Sequence, residues 1–127
     1  MTSSRRVLLV DDDADIRFIA EIALARVGGL AVTLAGSADE ARVRLAEDPL
    51  PDALLLDVTM PICDGPTLFA ELRARPRFAT LPVVFLTART TLEDIQSYLG
   101  MGASGVVAKP FDPMTLASQI REILGWR

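Results

Sequence analysis

Apolar residues gather along this chain in five short, nearly unbroken runs, at residues 6–10, 31–35, 53–56, 83–87 and 105–108. The runs are rich in Val and Leu and do not alternate with polar positions, which is how strands buried on both faces read. Between them the apolar positions change to helical spacing. A first helix carries Ile16, Ile19, Ala20, Ala23, Leu24 and Val27 on one face and closes at Gly28-Gly29. A second opens with Ser37-Ala38-Asp39-Glu40, a capping-box pattern, and runs to about Glu47. A third covers 66–74 with Leu68, Phe69 and Leu72. A fourth follows Thr90-Thr91 and runs to Met101, with Ile95 and Leu99 turned inward and Gly100 and Gly102 at its end. The fifth begins at Asp112-Pro113, a cap followed by proline, and presents Leu116, Ile120, Ile123 and Leu124 as one stripe. Trp126 and Arg127 form a tail beyond it. Strand and helix thus alternate five times. Parallel strands need crossover helices, so the pattern predicts an α/β fold, a doubly wound three-layer sandwich around a five-stranded parallel sheet.

Composition narrows the chemistry. With 127 residues, half of them hydrophobic, the chain is expected to be a single domain, 1–127, with nothing left over for an effector domain. There is no histidine, which excludes Ser-His-Asp and Cys-His catalysis and His-ligated zinc. The one cysteine, Cys63, rules out a disulfide framework and reads as an inert loop residue. A net charge of −4 argues against nucleic acid or an anionic membrane surface as partner. Only four apolar residues, 7–10, follow Arg5-Arg6, short of the roughly 7–15 of a secretory core. No stretch approaches the ~18 apolar residues of a membrane span. A cytoplasmic protein is expected.

What remains is an oxygen-and-ammonium chemistry at one edge. Asp11 and Asp12 follow the first strand, Asp57 ends the third, Thr87 ends the fourth and Lys109 follows the fifth. All sit at carboxyl ends of strands, where open α/β sheets bind ligands. Three carboxylates crowded together repel one another unless cations are present. Lys109 supplies one positive charge, and all-oxygen ligation suits Mg²⁺ or Mn²⁺ for the rest. A carboxylate nucleophile, a hard metal, a lysine and a hydroxyl are parts for phosphoryl transfer. Asp13 and Asp15, by contrast, read as acids favourable at a helix N-terminus.

The segments VLLVDDDADIR, LLLDVTMPICDG, PVVFLTA and GASGVVAKPF, in this order and spacing, closely resemble the receiver domain of two-component response regulators, across essentially the whole chain. The resemblance implies a flavodoxin-like (βα)5 fold with strand order 2-1-3-4-5. With no appended domain the chain looks like a stand-alone switch in the style of the chemotaxis or cell-cycle regulators, not a dedicated enzyme; a receiver excised from a larger protein would look the same. By the same match, Asp57 is the phospho-acceptor, served by a sensor histidine kinase or a histidine phosphotransfer protein, and promotes its own phosphorylation and dephosphorylation. Asp12, Asp57 and the Thr59 backbone carbonyl match the direct Mg²⁺ ligands, and Asp11 matches the acid that reaches the metal through water. Lys109 matches the lysine that pairs with the acceptor, with a cis bond to Pro110. Thr87 matches the switch hydroxyl, and the Ala88 backbone N–H its companion on the phosphoryl oxygens. Gly65 matches the glycine of the loop after the third strand. Thr59 and Arg89 fall where the family tunes phosphate lifetime. Output is expected at the face of the fourth helix, fifth strand and fifth helix, toward a downstream protein. One departure stands out: Val106 occupies the position of the family's switch aromatic. Valine cannot make that rotation, so signalling is expected through the loop after strand four and the fourth helix, helped by an exposed Tyr98.

Two other readings belong beside this one. The same fold can serve as an interaction module that works without phosphate, which the loss of the aromatic at Val106 favours. A small phosphatase using an aspartyl-phosphate would place a second acid two residues after the nucleophile, where this chain has Thr59.

Overall fold

The computed structural model describes residues 5–126; Arg127 lies outside them. Five strands, β1 (Arg6–Val10), β2 (Ala31–Ala35), β3 (Ala53–Asp57), β4 (Val83–Thr87) and β5 (Gly105–Ala108), pair in parallel in the order β2-β1-β3-β4-β5. The helices are α1 (Ala14–Glu21), α2 (Ala38–Leu45), α3 (Gly65–Arg73), α4 (Leu92–Gly100) and α5 (Leu116–Leu124). Among the described residues no helix is long and apolar enough to cross a membrane. The doubly wound sandwich and the strand order 2-1-3-4-5 are those expected from the sequence.

Successive strand residues feed opposite layers of core. Leu8, Val10, Leu54, Leu56, Val83 and Phe85 meet α2, α3 and α4 on one side. Val7, Leu9, Ala53, Leu55, Val84 and Leu86 meet α1 and α5 on the other. All five residues of β3 and of β4 are buried, which explains their unbroken apolar sequence. Ser37 caps α2 by accepting the Glu40 N–H at 3.1 Å, and Glu40 reaches back to the Gly36 N–H, so the capping box forms one residue wider than its simplest version.

Three helical expectations need correction. The first helix continues beyond α1 as a π-helical segment, Ile22–Val27, whose wider turns break the 3.6-residue phase. Ala20, Ala23 and Leu24 are buried as expected, but Ile19 and Val27 face solvent. In α4 the inward residue is Tyr98, 8% exposed, while Leu99 is 45% exposed. Tyr98 therefore is not a surface residue: its ring lies 5.2 Å from that of Phe85, which in turn meets Phe69 edge-on at 5.6 Å. The fifth helix begins later than Asp112-Pro113. Asp112 caps a preceding turn, its carboxylate accepting the Met114 N–H, and regular helix starts at Leu116. The Trp126 tail packs on the α5 side of the core beneath the Arg5 guanidinium.

Candidate functional site

Parallel pairing fixes the site at the carboxyl edge of the sheet. Beyond the strands proper, Asp11 N–H donates to Ala35 O, Val58 N–H to Leu86 O and Lys109 N–H to Thr87 O, at 3.1, 3.0 and 2.8 Å. These extra rungs hold the residues that follow β1, β3 and β5 as firmly as the strands themselves. Asp11, Asp12, Asp13, Asp57, Thr59, Ala88 and Lys109 line one cleft of about 240 Å³.

Lys109 bridges the two buried carboxylates, its Nζ 2.9 Å from Asp11 Oδ2 and 3.2 Å from Asp57 Oδ1. The Lys109–Pro110 peptide is cis, as the resemblance implied; a second cis bond, Asp48–Pro49, was not anticipated. Both Asp11 oxygens are engaged, because the other accepts the Asp13 N–H at 2.9 Å. On Asp57 the contacts of Lys109 and of the Thr59 N–H (3.4 Å) both fall on Oδ1. Burial raises the Asp57 carboxyl from its ordinary value of 3.8 to about 6, and the charge of Asp11 adds to the rise. Lys109 opposes it by charge and hydrogen bond, as does the Thr59 N–H more weakly. For Lys109 itself, burial pulls the ammonium down, but the hydrogen bonds and charges of Asp11 and Asp57 outweigh it and the net shift is upward. The ion pair is thus mutually enforcing.

Carboxylate oxygens of Asp11, Asp12 and Asp57 all lie within 4.8 Å of one another. Asp12 is the exposed member and the other two are buried. An all-oxygen set with one solvent-facing carboxylate fits a hard divalent cation that keeps part of its water shell. Thr87 is buried, and its Oγ1 accepts the Arg89 N–H at 2.9 Å, so at rest the hydroxyl is tied to the loop that leads into α4. Gly65 lies directly under the site: a Cβ there would stand 2.3 Å from Asp57 O. Val106 is half-buried and packs on the core layer that contains Tyr98. Asp13 is the N-cap of α1, accepting the Asp15 N–H at 2.9 Å. Cys63 is a free thiol in the loop before α3, half-buried, 3.6 Å from Arg42 Nη2.

One charged group beside the site had no place in the sequence reading. Arg17, on α1, donates from Nη1 to the Asp11 carbonyl at 2.7 Å. Its available signal was position: a long side chain on a helix's second turn leans back toward the N-terminus, and here that direction leads to the Asp11–Asp12 loop.

Known proteins agree with this geometry. The response regulator receiver domain family matches residues 7–121. The chain is 38% identical over 122 residues to the transcriptional regulatory protein PrrA of Mycobacterium leprae, covering 96% of this chain and 51% of that protein. It is 40% identical over 119 residues to the response regulator Rre1 of Synechocystis, covering 93% of this chain and 51% of that one. It thus spans about half the length of these two relatives. The chemotaxis protein CheY4 of Vibrio cholerae superposes with a TM-score of 0.85 at 29% identity, covering 95% of this chain and 99% of that chain. A carboxylate cluster closed by a lysine at the sheet edge, on this strand order and with these relatives, places the chain in the family of two-component response regulator receiver domains.

Proposed function

We propose that the chain is a phosphorylation-dependent switch in which Asp57 accepts a phosphoryl group from the phosphohistidine of a sensor kinase or phosphotransfer protein, in the cytoplasm. The observation that carries this reading is the pairing of Asp57 with Lys109 at 3.2 Å inside a cluster of three carboxylates. One Asp57 oxygen bonds to phosphorus as the donor's P–N bond breaks and its electron pair returns to the imidazole. Oδ2 is the better attacker, since the contacts of Lys109 and Thr59 fall on Oδ1. At neutral pH an acid of pKa about 6 is mostly ionised yet poorly solvated, which suits a nucleophile.

Asp12, Asp57 and the Thr59 carbonyl are the residues to hold Mg²⁺ (Mn²⁺ would serve), with Asp11 through water. Mg²⁺, when bound, offsets the charge of the incoming phosphoryl oxygens. Lys109 stays paired with Asp11 at 2.9 Å while it receives the phosphoryl group. Thr87 exchanges the Arg89 N–H for a phosphoryl oxygen, beside the Ala88 N–H, and the loop before α4 is released. The readout face is α4–β5–α5, where a downstream protein docks. With Val106 in β5, movement is carried by that loop and α4, not by an aromatic rotation.

A phosphate-independent interaction module is the second reading, favoured by Val106 alone. Incubation with Mg²⁺ and acetyl phosphate, followed by intact mass measurement, separates the two. A phosphoryl adduct that is lost in Asp57→Asn and with EDTA supports the switch. No adduct with any small phosphodonor supports the module.

A further inference from the structure

We infer that Arg17 is a positioning residue of the metal site, holding the Asp11–Asp12 peptide so that Asp12 is aimed at the cation; this rests on the Mg²⁺-dependent reading above. Every other hold on Asp11 is accounted for. Its N–H extends the sheet to Ala35 O, one carboxylate oxygen takes the Asp13 N–H, and the other takes Lys109. The carbonyl that leads into Asp12 is left to Arg17 Nη1, at 2.7 Å. Asp12 itself is the exposed member of the cluster. The peptide that leads into it is held by Arg17, and the direction of Asp12 follows from that peptide.

Arg17 is half-buried, and its guanidinium lies against Gly36, just past the end of β2. A Cβ at Gly36 would meet Arg17 Nη1 at 3.0 Å, Cζ at 3.2 Å and Nη2 at 3.6 Å. The guanidinium thus reaches from the Asp11 carbonyl to a residue whose lack of side chain makes the room. Backbone turn, glycine floor and guanidinium form one unit, and it ends at a proposed metal carboxylate.

The sign of the effect distinguishes positioning from plain charge. A cation beside three carboxylates weakens binding of a second cation by repulsion. If Arg17 acted only through its charge, removing it would tighten Mg²⁺ binding. If it positions Asp12, removing it weakens binding despite the lower positive charge. Partners behind a metal ligand typically contribute about 10–100-fold in affinity.

The test is Mg²⁺ titration by calorimetry of the whole chain, at fixed ionic strength, for wild type, Arg17→Gln, Arg17→Lys and Gly36→Ala. Urea midpoints in EDTA confirm that each is folded. Positioning predicts that Arg17→Gln binds Mg²⁺ about 10-fold more weakly or worse, with Arg17→Lys recovering part of the loss. Gly36→Ala keeps the charge but crowds the guanidinium, with a Cβ 3.0 Å from Nη1, and is expected to weaken Mg²⁺ binding in the same direction. It also serves if Arg17→Gln fails to fold. Arg17→Gln or Gly36→Ala binding Mg²⁺ as tightly as wild type, or more tightly, overturns the inference. A wild type that binds no Mg²⁺ overturns the functional reading beneath it as well.

Discussion

Replacing Asp57 with asparagine should make the metal-free protein more stable at neutral pH, although it removes the proposed acceptor. Asp57 is only 4% exposed and faces Asp11, and its pKa rises from 3.8 to about 6 on folding. The neutral acid is therefore the form the fold prefers. Its contribution is fully present below about pH 4, where Asp57 is protonated folded or unfolded, and is lost as pH climbs through about 6. Above pH 7 the ionised carboxylate works against folding by about 3 kcal/mol, at about 1.4 kcal/mol per pKa unit. Asparagine is neutral throughout and nearly the same shape. That figure is already net of the attraction of Lys109, which opposes the rise and keeps Asp11 as a partner at 2.9 Å, so the gain expected for Asp57→Asn is about 3 kcal/mol. The assay is urea unfolding in EDTA, followed by circular dichroism, from pH 4 to pH 8. The stability gap in favour of Asp57→Asn should open from near zero at pH 4 to its full size by pH 7.5. With saturating Mg²⁺ it should close or reverse, because wild type gains more binding energy than the variant. A gap that stays flat with pH, or a wild type more stable than Asp57→Asn at pH 8 in EDTA, would refute the reasoning.

Gly65→Ala sets a Cβ 2.3 Å from Asp57 O and 3.0 Å from Val58 Cα, both backbone atoms with nowhere to go. It should cost about 2–3 kcal/mol in urea unfolding and lower the yield of acetyl-phosphate adduct. Tyr98→Ala removes a buried ring that packs at a tilt against Phe85 and should cost about 3–4 kcal/mol by the same assay, with Tyr98→Phe recovering most of it. Ile62 stands fully exposed with φ of 69°, a left-handed conformation that β-branched residues resist. Ile62→Asn should therefore stabilise by about 1 kcal/mol, read as a higher urea midpoint with unchanged slope.

The strands were legible from their unbroken apolar runs, although burial on both faces holds for β3 and β4 and not for the edge strand β2, which is exposed at Ala31 and Thr33. The runs at 6–10, 31–35, 83–87 and 105–108 are strands to the residue, and the third extends by Asp57 alone. The site followed from the strands, since parallel topology sends every carboxyl end to one rim. Helix faces were harder, because a helix offers several candidate stripes and only its neighbours select one. In α4, Ile95 pairs equally well with Leu99, four positions on, or with Tyr98, three positions on; the ring of Phe85 decides for Tyr98. In the first helix the π-helical segment resets the phase partway, so no single wheel describes it. Arg17 was hidden for another reason. Its significance depends on a contact with its own loop across the cap of the helix, and on the missing side chain of Gly36, neither of which leaves a periodic trace.

The two core layers have a practical consequence for watching this molecule work. The chain contains one tyrosine and one tryptophan. Tyr98 lies in the layer with α4, and Trp126 in the opposite layer, against α5 and under Arg5. Each layer thus carries its own intrinsic chromophore, without labelling. Rearrangement of α4 should alter the near-ultraviolet dichroism of Tyr98 while tryptophan emission, excited selectively, holds steady. Global unfolding must move both together. A single cuvette can therefore distinguish a signal passed through one layer from a loosening of the whole sandwich.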